Sequence, residues 1–161
     1  MPTHYSGTRA EMHTLDTFIK LTRCTNSVLA RLAERNSIAD LTYSQFAVLE
    51  AVYHLGHLTQ GEISTKVLKS GSNMTTVIDN LERDGLVRRE RDAKDRRVIH
   101  VHLTEAGNRK IEAILPGHVA ALVEEFSVLS AGEQQALGEL CKKLGKGNSD
   151  RLNVGNHKIK G

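Results

Sequence analysis

Tryptophan is absent from this 161-residue chain, aromatic residues make up only 4% of it, and proline and cysteine each occur twice. Each scarcity narrows the field. The two cysteines, Cys24 and Cys141, lie far apart and form no Cys-x-x-Cys, so both are expected to be thiols in a reducing compartment. No apolar run approaches the ~20 residues a membrane span requires. The first residues, MPTHYSGTRAEMHTLD, lack the apolar centre of a secretory signal, which predicts a cytoplasmic protein with no membrane partner. HExxH, GxSxG, Walker A and dinucleotide fingerprints are all missing. The acids sit beside arginines and lysines rather than gathering as an acid–base couple, so an enzyme is not expected.

What is present points to a soluble, helix-rich domain. Hydrophobic residues form 39% and charged residues 25% of the chain, ordinary values for a single domain with a real core. Few prolines and many Leu, Ala, Glu, Lys and Arg favour helix. The pI near 9.0 permits a nucleic-acid partner without establishing one. The charge is unevenly placed: Arg88 to Arg97 holds six basic residues and three acids, an excess that equals the +3 of the whole chain.

Three helix starts are legible as capping boxes: Thr42-Tyr43-Ser44-Gln45, Thr59-Gln60-Gly61-Glu62 and Ser130-Ala131-Gly132-Glu133. They predict helices over 43–54, 60–67 and 131–144, with Gly56 and Gly145 as C-terminal caps. A further helix follows the turn Leu68-Lys69-Ser70-Gly71. In SNMTTVIDNLERDG the residues Met74, Val77, Ile78 and Leu81 form one apolar stripe, and Gly85 can end the helix. A less regular helix covers about 11–38. A long one follows Thr104, where Pro116-Gly117 is expected to kink or break it.

After Gly85 the period changes from 3.6 to 2. Leu86–Arg91 and Arg97–Leu103 read as paired strands joined by the polar loop Asp92–Arg96. In the second strand Ile99, Val101 and Leu103 are expected to face the core, with Val98, His100 and His102 outward. The whole is a mainly α fold with a small β-hairpin, a winged helix–turn–helix. Its winged region spans 40–103, flanked by helical dimerisation segments at 11–39 and 104–145. Residues 1–10 are expected to be a flexible N-terminus, and 146–161 a disordered basic tail.

The segment from Ser72 to Arg83 suits a reading helix. Its apolar back would seat it, while Asn73, Thr76, Asn80 and Arg83, with Ser72 and Thr75 near the start and Ser70 in the turn, offer donors and acceptors to base edges and phosphates of double-stranded DNA. Lys94, Arg96 and Arg97 at the hairpin loop suit a duplex backbone or narrow minor groove. Asp92 and Asp95 are expected to support the wing by holding an arginine in one rotamer.

LTYSQFAVLEAV, LTQGEISTKVLKSGSNMTTVIDNLERDGLV and RRERDAKDRRVIHVHLTEAG carry a resemblance to the MarR family of bacterial transcription regulators. Its most specific part is Asp-x-x-Asp-Arg-Arg followed by a strand and Leu-Thr-Glu-x-Gly. The resemblance implies a homodimer with interlocked terminal helices, bound to a pseudo-palindromic operator, most often as a repressor. It also implies Arg97 as the minor-groove residue, Asp95 as its support, and Ser72, Asn73, Thr75 and Thr76 facing the major groove. The segments 11–38 and 104–144 hold more apolar surface than a small winged domain covers, which independently favours a two-fold dimer.

The signal has several candidates. The resemblance implies a small phenolic or aromatic effector, for which Phe18, Tyr43, Phe46 and Tyr53 are possible pocket residues or else plain core. It also allows thiol sensing of an electrophile by Cys24, beside Arg23. A metal-responsive regulator is a third possibility, since His54 with His57 and His100 with His102 are close in sequence. No acidic ligand accompanies them at usable spacing, so no metal or other cofactor is expected. A winged-helix protein-interaction module that never touches DNA is the alternative from another class.

Overall fold

The computed structural model describes residues 5–67 and 71–147, with the side chains of residues 71–73 excepted. It is mainly helical: α1 (Arg9–Glu34), α2 (Tyr43–Leu55), β1 (Leu58–Thr59), α3 (Gln60–Val67), α4 (Gly71–Arg83), β2 (Val87–Arg91), β3 (Ile99–Leu103), α5 (Glu105–Phe126) and α6 (Ala131–Lys146). The chain divides into two compact units, residues 1–122 and 123–161. No single described helix is long and apolar enough to cross a membrane.

All three anticipated capping boxes are formed. Thr42, Thr59 and Ser130 accept from the backbone N–H three residues on, and Gln45, Glu62 and Glu133 reach back to the cap amide. A fourth box, Thr8 with Glu11, starts α1 two residues before the predicted position and within the stretch expected to be flexible. The helix ends at Glu34, not near residue 38, because Asn36 (φ 50°) and Ala39 (φ 54°) turn the chain through the left-handed region.

Gly56, at φ 77°, does cap α2, but Gly145 lies inside α6, whose cap is Gly147 at φ 61°. After α4, the Gly85 N–H donates to Glu82 O and the Leu86 N–H to Leu81 O, which satisfies two of the helix's last carbonyls. Gly85 stands at φ 70°, a conformation a side chain would resist.

The core of the first unit is the apolar stripe of α4 packed on its neighbours. Phe46, Val48, Leu49 and Val52 of α2, Ile63 of α3, Met74, Ile78 and Leu81 of α4, Val87, Val101 and Ile111 are all buried together. Three strands, not two, form the sheet, in order β1-β3-β2 and antiparallel throughout. β2 pairs with β3 in the register Val87↔Leu103, Arg89↔Val101 and Arg91↔Ile99, while β1 adds Leu58↔Val101 on the other edge. The expected alternation on β3 holds at Val101 but fails at Ile99, which is 42% exposed. Its partner Arg91 lies at the end of the ladder, beyond the reach of the helical layer.

Pro116 does not break α5, which runs from Glu105 to Phe126. Pro116 and Glu112, the residue whose carbonyl loses its donor, are both exposed, so water can satisfy that oxygen. In the second unit, every described residue of α6 is exposed, including Leu137, Leu140 and Leu144. Cys141, expected to pack, is exposed there too.

Candidate nucleic-acid interface

The helix α4 presents what its apolar back leaves over. Met74, Ile78 and Leu81 are fully buried, whereas Thr75, Thr76, Asp79 and Arg83 are exposed and Asn80 is half-buried. Thr75 Oγ1 accepts from Gln60 Nε2 at 2.6 Å, so the first residue of α3 positions a hydroxyl of α4. Arg83 Nε lies 3.4 Å from Asp84 Oδ1, with the arginine 72% exposed. Ser70 and the side chains of Ser72 and Asn73 lie outside the described residues.

The wing tip is organised by its two aspartates, in different ways. Asp92 Oδ1 accepts from the backbone N–H groups of Lys94 (2.7 Å) and Asp95 (2.9 Å), closing the loop on itself. Asp95 holds Arg97 by a two-pronged contact: Arg97 Nε to Oδ1 and Nη2 to Oδ2, both 3.0 Å, with the Arg97 N–H on Oδ1 at 3.1 Å. The guanidinium is pointed, yet its side chain remains 90% exposed. The fork lowers the Asp95 carboxyl below its ordinary value, chiefly through the arginine's hydrogen bonds, and raises Arg97. Asp92 is lowered mainly by the two backbone amides. The expectation that both acids brace an arginine is therefore corrected: Asp95 does, while Asp92 shapes the backbone and stands 3.4 Å from His100. Lys94 and Arg96 are exposed and have no carboxylate partner among the described residues.

The basic run also does structural work that sequence spacing did not reveal. Arg89, only 24% exposed at its side chain, reaches across to α4, with Nη2 2.6 Å from Asp79 Oδ1 and Nη1 2.5 Å from Glu82 Oε2. The Arg89 backbone N–H adds a 2.9 Å bond to Glu82 Oε1. This clamp ties the wing strand to the reading helix. Its only trace in the sequence was acids on the flank of α4 and an arginine on the core-facing side of β2, a pairing invisible without the register. Arg88 bonds Glu90 at 2.5 Å and Leu103 O at 3.2 Å.

The candidate effector residues do not gather. Phe18 is 63% exposed over an open hollow on α1 with Tyr5 and Leu15. Phe46 is core, with its ring 4.6 Å from that of His118. Tyr53 lies edge-on to His54. Tyr43 alone lines a cavity of about 490 Å³, together with Leu29, Leu32, Ser37, Ile38 and His118. His118 was not anticipated. It is buried, and its Nδ1 is 3.1 Å from Ser37 Oγ, whose own hydrogen goes to Leu32 O at 3.1 Å. Ser37 therefore accepts, Nδ1 carries the imidazole proton, and Nε2 is left as an acceptor. Burial lowers the His118 pKa, opposed by Glu50.

Cys24 is exposed on α1. His100 and His102 do have acidic neighbours, contrary to the sequence reading, because β2 places Glu90 and Asp92 beside them. Among the described residues, however, no three His, Cys, Asp or Glu converge as a metal-holding group.

The model of the MarR family matches residues 41–99. Among curated proteins, the HTH-type transcriptional regulator MhqR of Bacillus subtilis is 34% identical over 131 residues, covering 81% of this chain and 90% of MhqR. The uncharacterised HTH-type transcriptional regulator YkoM of the same organism is 42% identical over 102 residues, covering 63% of this chain and 66% of YkoM. Among solved structures, Bordetella bronchiseptica BpsR, whose DNA binding is regulated by 6-hydroxynicotinic acid, superposes with a TM-score of 0.71 at 25% identity. That match covers 80% of this chain and 98% of BpsR.

Proposed function

The chain belongs to the MarR family, whose members matched here are HTH-type transcriptional regulators, and on that premise we propose that it grips a pseudo-palindromic operator as a homodimer and represses transcription until an effector releases it. The observation that carries this reading is the Asp95-held Arg97 guanidinium, exposed on a wing that Arg89 clamps to α4. A helix for the major groove and an aimed arginine beside it are what two-groove readout requires. On this reading residues 40–103 form the DNA-binding region, and 11–39 with 104–145 the dimerisation region.

Pairing of two copies is supported by apolar side chains that stand uncovered on residues 123–147: Val123, Val128, Leu137, Leu140 and Leu144. A two-fold axis would set the α4 helices about one DNA turn, ~34–36 Å, apart. The cavity at His118 suits a small hydroxylated aromatic acid or phenol, with apolar walls for the ring and Nε2 to accept from a hydroxyl. The recorded response of BpsR to 6-hydroxynicotinic acid supports that ligand class. Thiol modification at Cys24 is the second reading, favoured by that residue's exposure.

The test is a mobility shift on the chain's own upstream DNA at two salt concentrations, with light scattering in parallel. The proposal expects a dimer, sequence preference, and a log–log salt slope of about −0.9 per phosphate contact. A monomer that binds every duplex weakly and without salt dependence would overturn it. Hydroxylated aromatic acids are then screened for release, using wild type and Cys24→Ser to separate the two effector readings.

A further inference from the structure

The outer face of the wing sheet carries a group of side chains that duplex contact at the tip does not use. The register sets Thr59, His100 and Glu90 side by side across the three strands. One step along, His57 falls beside His102, which pairs with Arg88. The three imidazoles touch: His57 stacks on His102 with ring centroids 4.8 Å apart and lies edge-on to His100 at 4.9 Å. His100 and His102 are 20% and 24% exposed at their side chains. His100 Nδ1 is buried with no hydrogen-bond partner among the described residues.

We propose that His57, His100 and His102 form a proton-operated latch, which in its neutral state fastens β1 to the wing and on protonation releases it. The argument is one of adjacent charge. Neutral imidazoles can stack and share a half-buried site without penalty. Protonated, His57 and His102 would join Arg88 as three cations on neighbouring strands, and like charges placed opposite one another destabilise a sheet.

The surrounding groups do not neutralise this row. From β2, Glu90 stands 3.4 Å from His102 Nε2 but is already held by Arg88 at 2.5 Å. At the wing loop, Asp92 stands 3.4 Å from His100 Nε2 while accepting two backbone N–H groups. From α3, Glu62 is occupied by the Thr59 N–H and hydroxyl. The strand being held is two residues long, Leu58–Thr59, so few other bonds keep it in place.

The direction of the response follows. Burial holds the His102 pKa below its ordinary 6.5, with His57, Arg88 and His100 pushing the same way and Glu90 opposing. A histidine depressed in the folded state contributes stability that is complete above its unfolded value and declines as pH falls through the folded one. Acidification therefore loosens β1 from β3, and with it the base of the wing that carries Arg97. This last step, weaker duplex binding in acid, rests on the reading that the wing contacts DNA.

The test separates the two. Amide hydrogen exchange on the full chain, corrected for intrinsic rates, is compared at about pH 7.5 and about pH 5.5. The wild type should lose about fivefold in protection at residues 58–59 and 99–103, which corresponds to about 1 kcal/mol. His57→Phe, which keeps a ring against His102 but cannot titrate, should retain its protection, and His102→Gln should retain most of it. Unchanged wild-type protection, the same loss in both variants, or a response abolished by EDTA would each overturn the latch.

A second arm measures anisotropy of a labelled duplex recovered by selection from random sequence, over the same pH range at fixed salt. Weakening in wild type but not in His57→Phe supports the latch. Tighter binding in acid would mean that added positive charge outweighs loosening, and would overturn its regulatory role. Loss of protection without duplex binding at any pH would remove the DNA-binding reading and leave the latch standing.

Discussion

Replacing Gly107 with alanine tests how closely α5 approaches the junction between α4 and the wing. Gly107 is buried in the first turn of α5, and a Cβ built there would stand 2.0 Å from Leu86 O and 3.2 Å from Leu103 Cδ2. Ordinary contact begins near 3.4 Å, so one side must yield by about 3.4 − 2.0 = 1.4 Å. The carbonyl is poorly placed to do so. It accepts the Thr104 N–H at 3.1 Å, and the Leu86 N–H is itself bonded to Leu81 O at 2.9 Å. Thr104 adds a 2.6 Å bond to Gly85 O and accepts from the Gly107 N–H at 3.0 Å, so the whole corner would shift together.

Overpacking of this kind costs about 1–3 kcal/mol. Loss of the Thr104–Leu86 bond costs about 0.5–1.5 kcal/mol more. The better helix propensity of alanine returns about 1 kcal/mol, which leaves a net destabilisation of about 1–3 kcal/mol. Urea unfolding at equal protein concentration measures it, with an unchanged m-value as the condition for reading stability. Gly138→Ala is the control, since a Cβ there meets nothing within 4 Å and should be neutral or stabilising. If the two variants unfold at the same urea concentration, the close approach is not real and the reasoning fails.

Arg89→Ala should destabilise the fold by about 1–2 kcal/mol, a figure reduced for its partial exposure, and should weaken duplex binding beyond that loss by freeing the wing from α4. Arg89→Lys, which cannot span Asp79 and Glu82 with one planar fork, should recover little of the affinity; full recovery would argue against the clamp. Arg97→Ala should lower duplex affinity and flatten the salt slope by about 0.9, while Asp95→Asn should weaken binding less and leave the slope alone. Equal slopes for wild type and Arg97→Ala would remove Arg97 from the contact surface. His118, depressed by burial, contributes stability that is complete above about pH 6.5 and declines as pH falls. The wild-type stability curve should therefore drop below that pH more steeply than the curve of His118→Gln, and parallel curves would refute the assignment.

What sequence could and could not reveal divides along the range of the interactions. Capping boxes are contained within four residues, and Thr42, Thr59 and Ser130 were all legible; the box at Thr8 precedes an irregular stripe and was passed over. The stripe Met74, Ile78, Leu81 needed only the helical period, and those residues are fully buried. The Asp95–Arg97 fork was foreseeable because its partners are two residues apart. By contrast, the strand Leu58–Thr59 is too short to show a period and exists only because β3 pairs with it. The Arg89 clamp joins positions seven and ten residues apart on different elements. His118 meets Ser37 across 81 residues, so nothing local distinguished it from any other helical histidine. The aromatics misled for the same reason: shared chemistry along the chain does not place Phe18 near Tyr43 in space.

The wing loop contains its own scaffolding. Asp92 gathers the amides of Lys94 and Asp95, the Val98 N–H returns to Asp95 O, and the Asp92 N–H returns to Val98 O, all within seven residues. Such a loop is a portable part: grafted between the strands of another hairpin of matching width, residues 92–98 would carry their aimed guanidinium with them. The tip can then diverge in what it recognises while the helices beneath it stay unchanged.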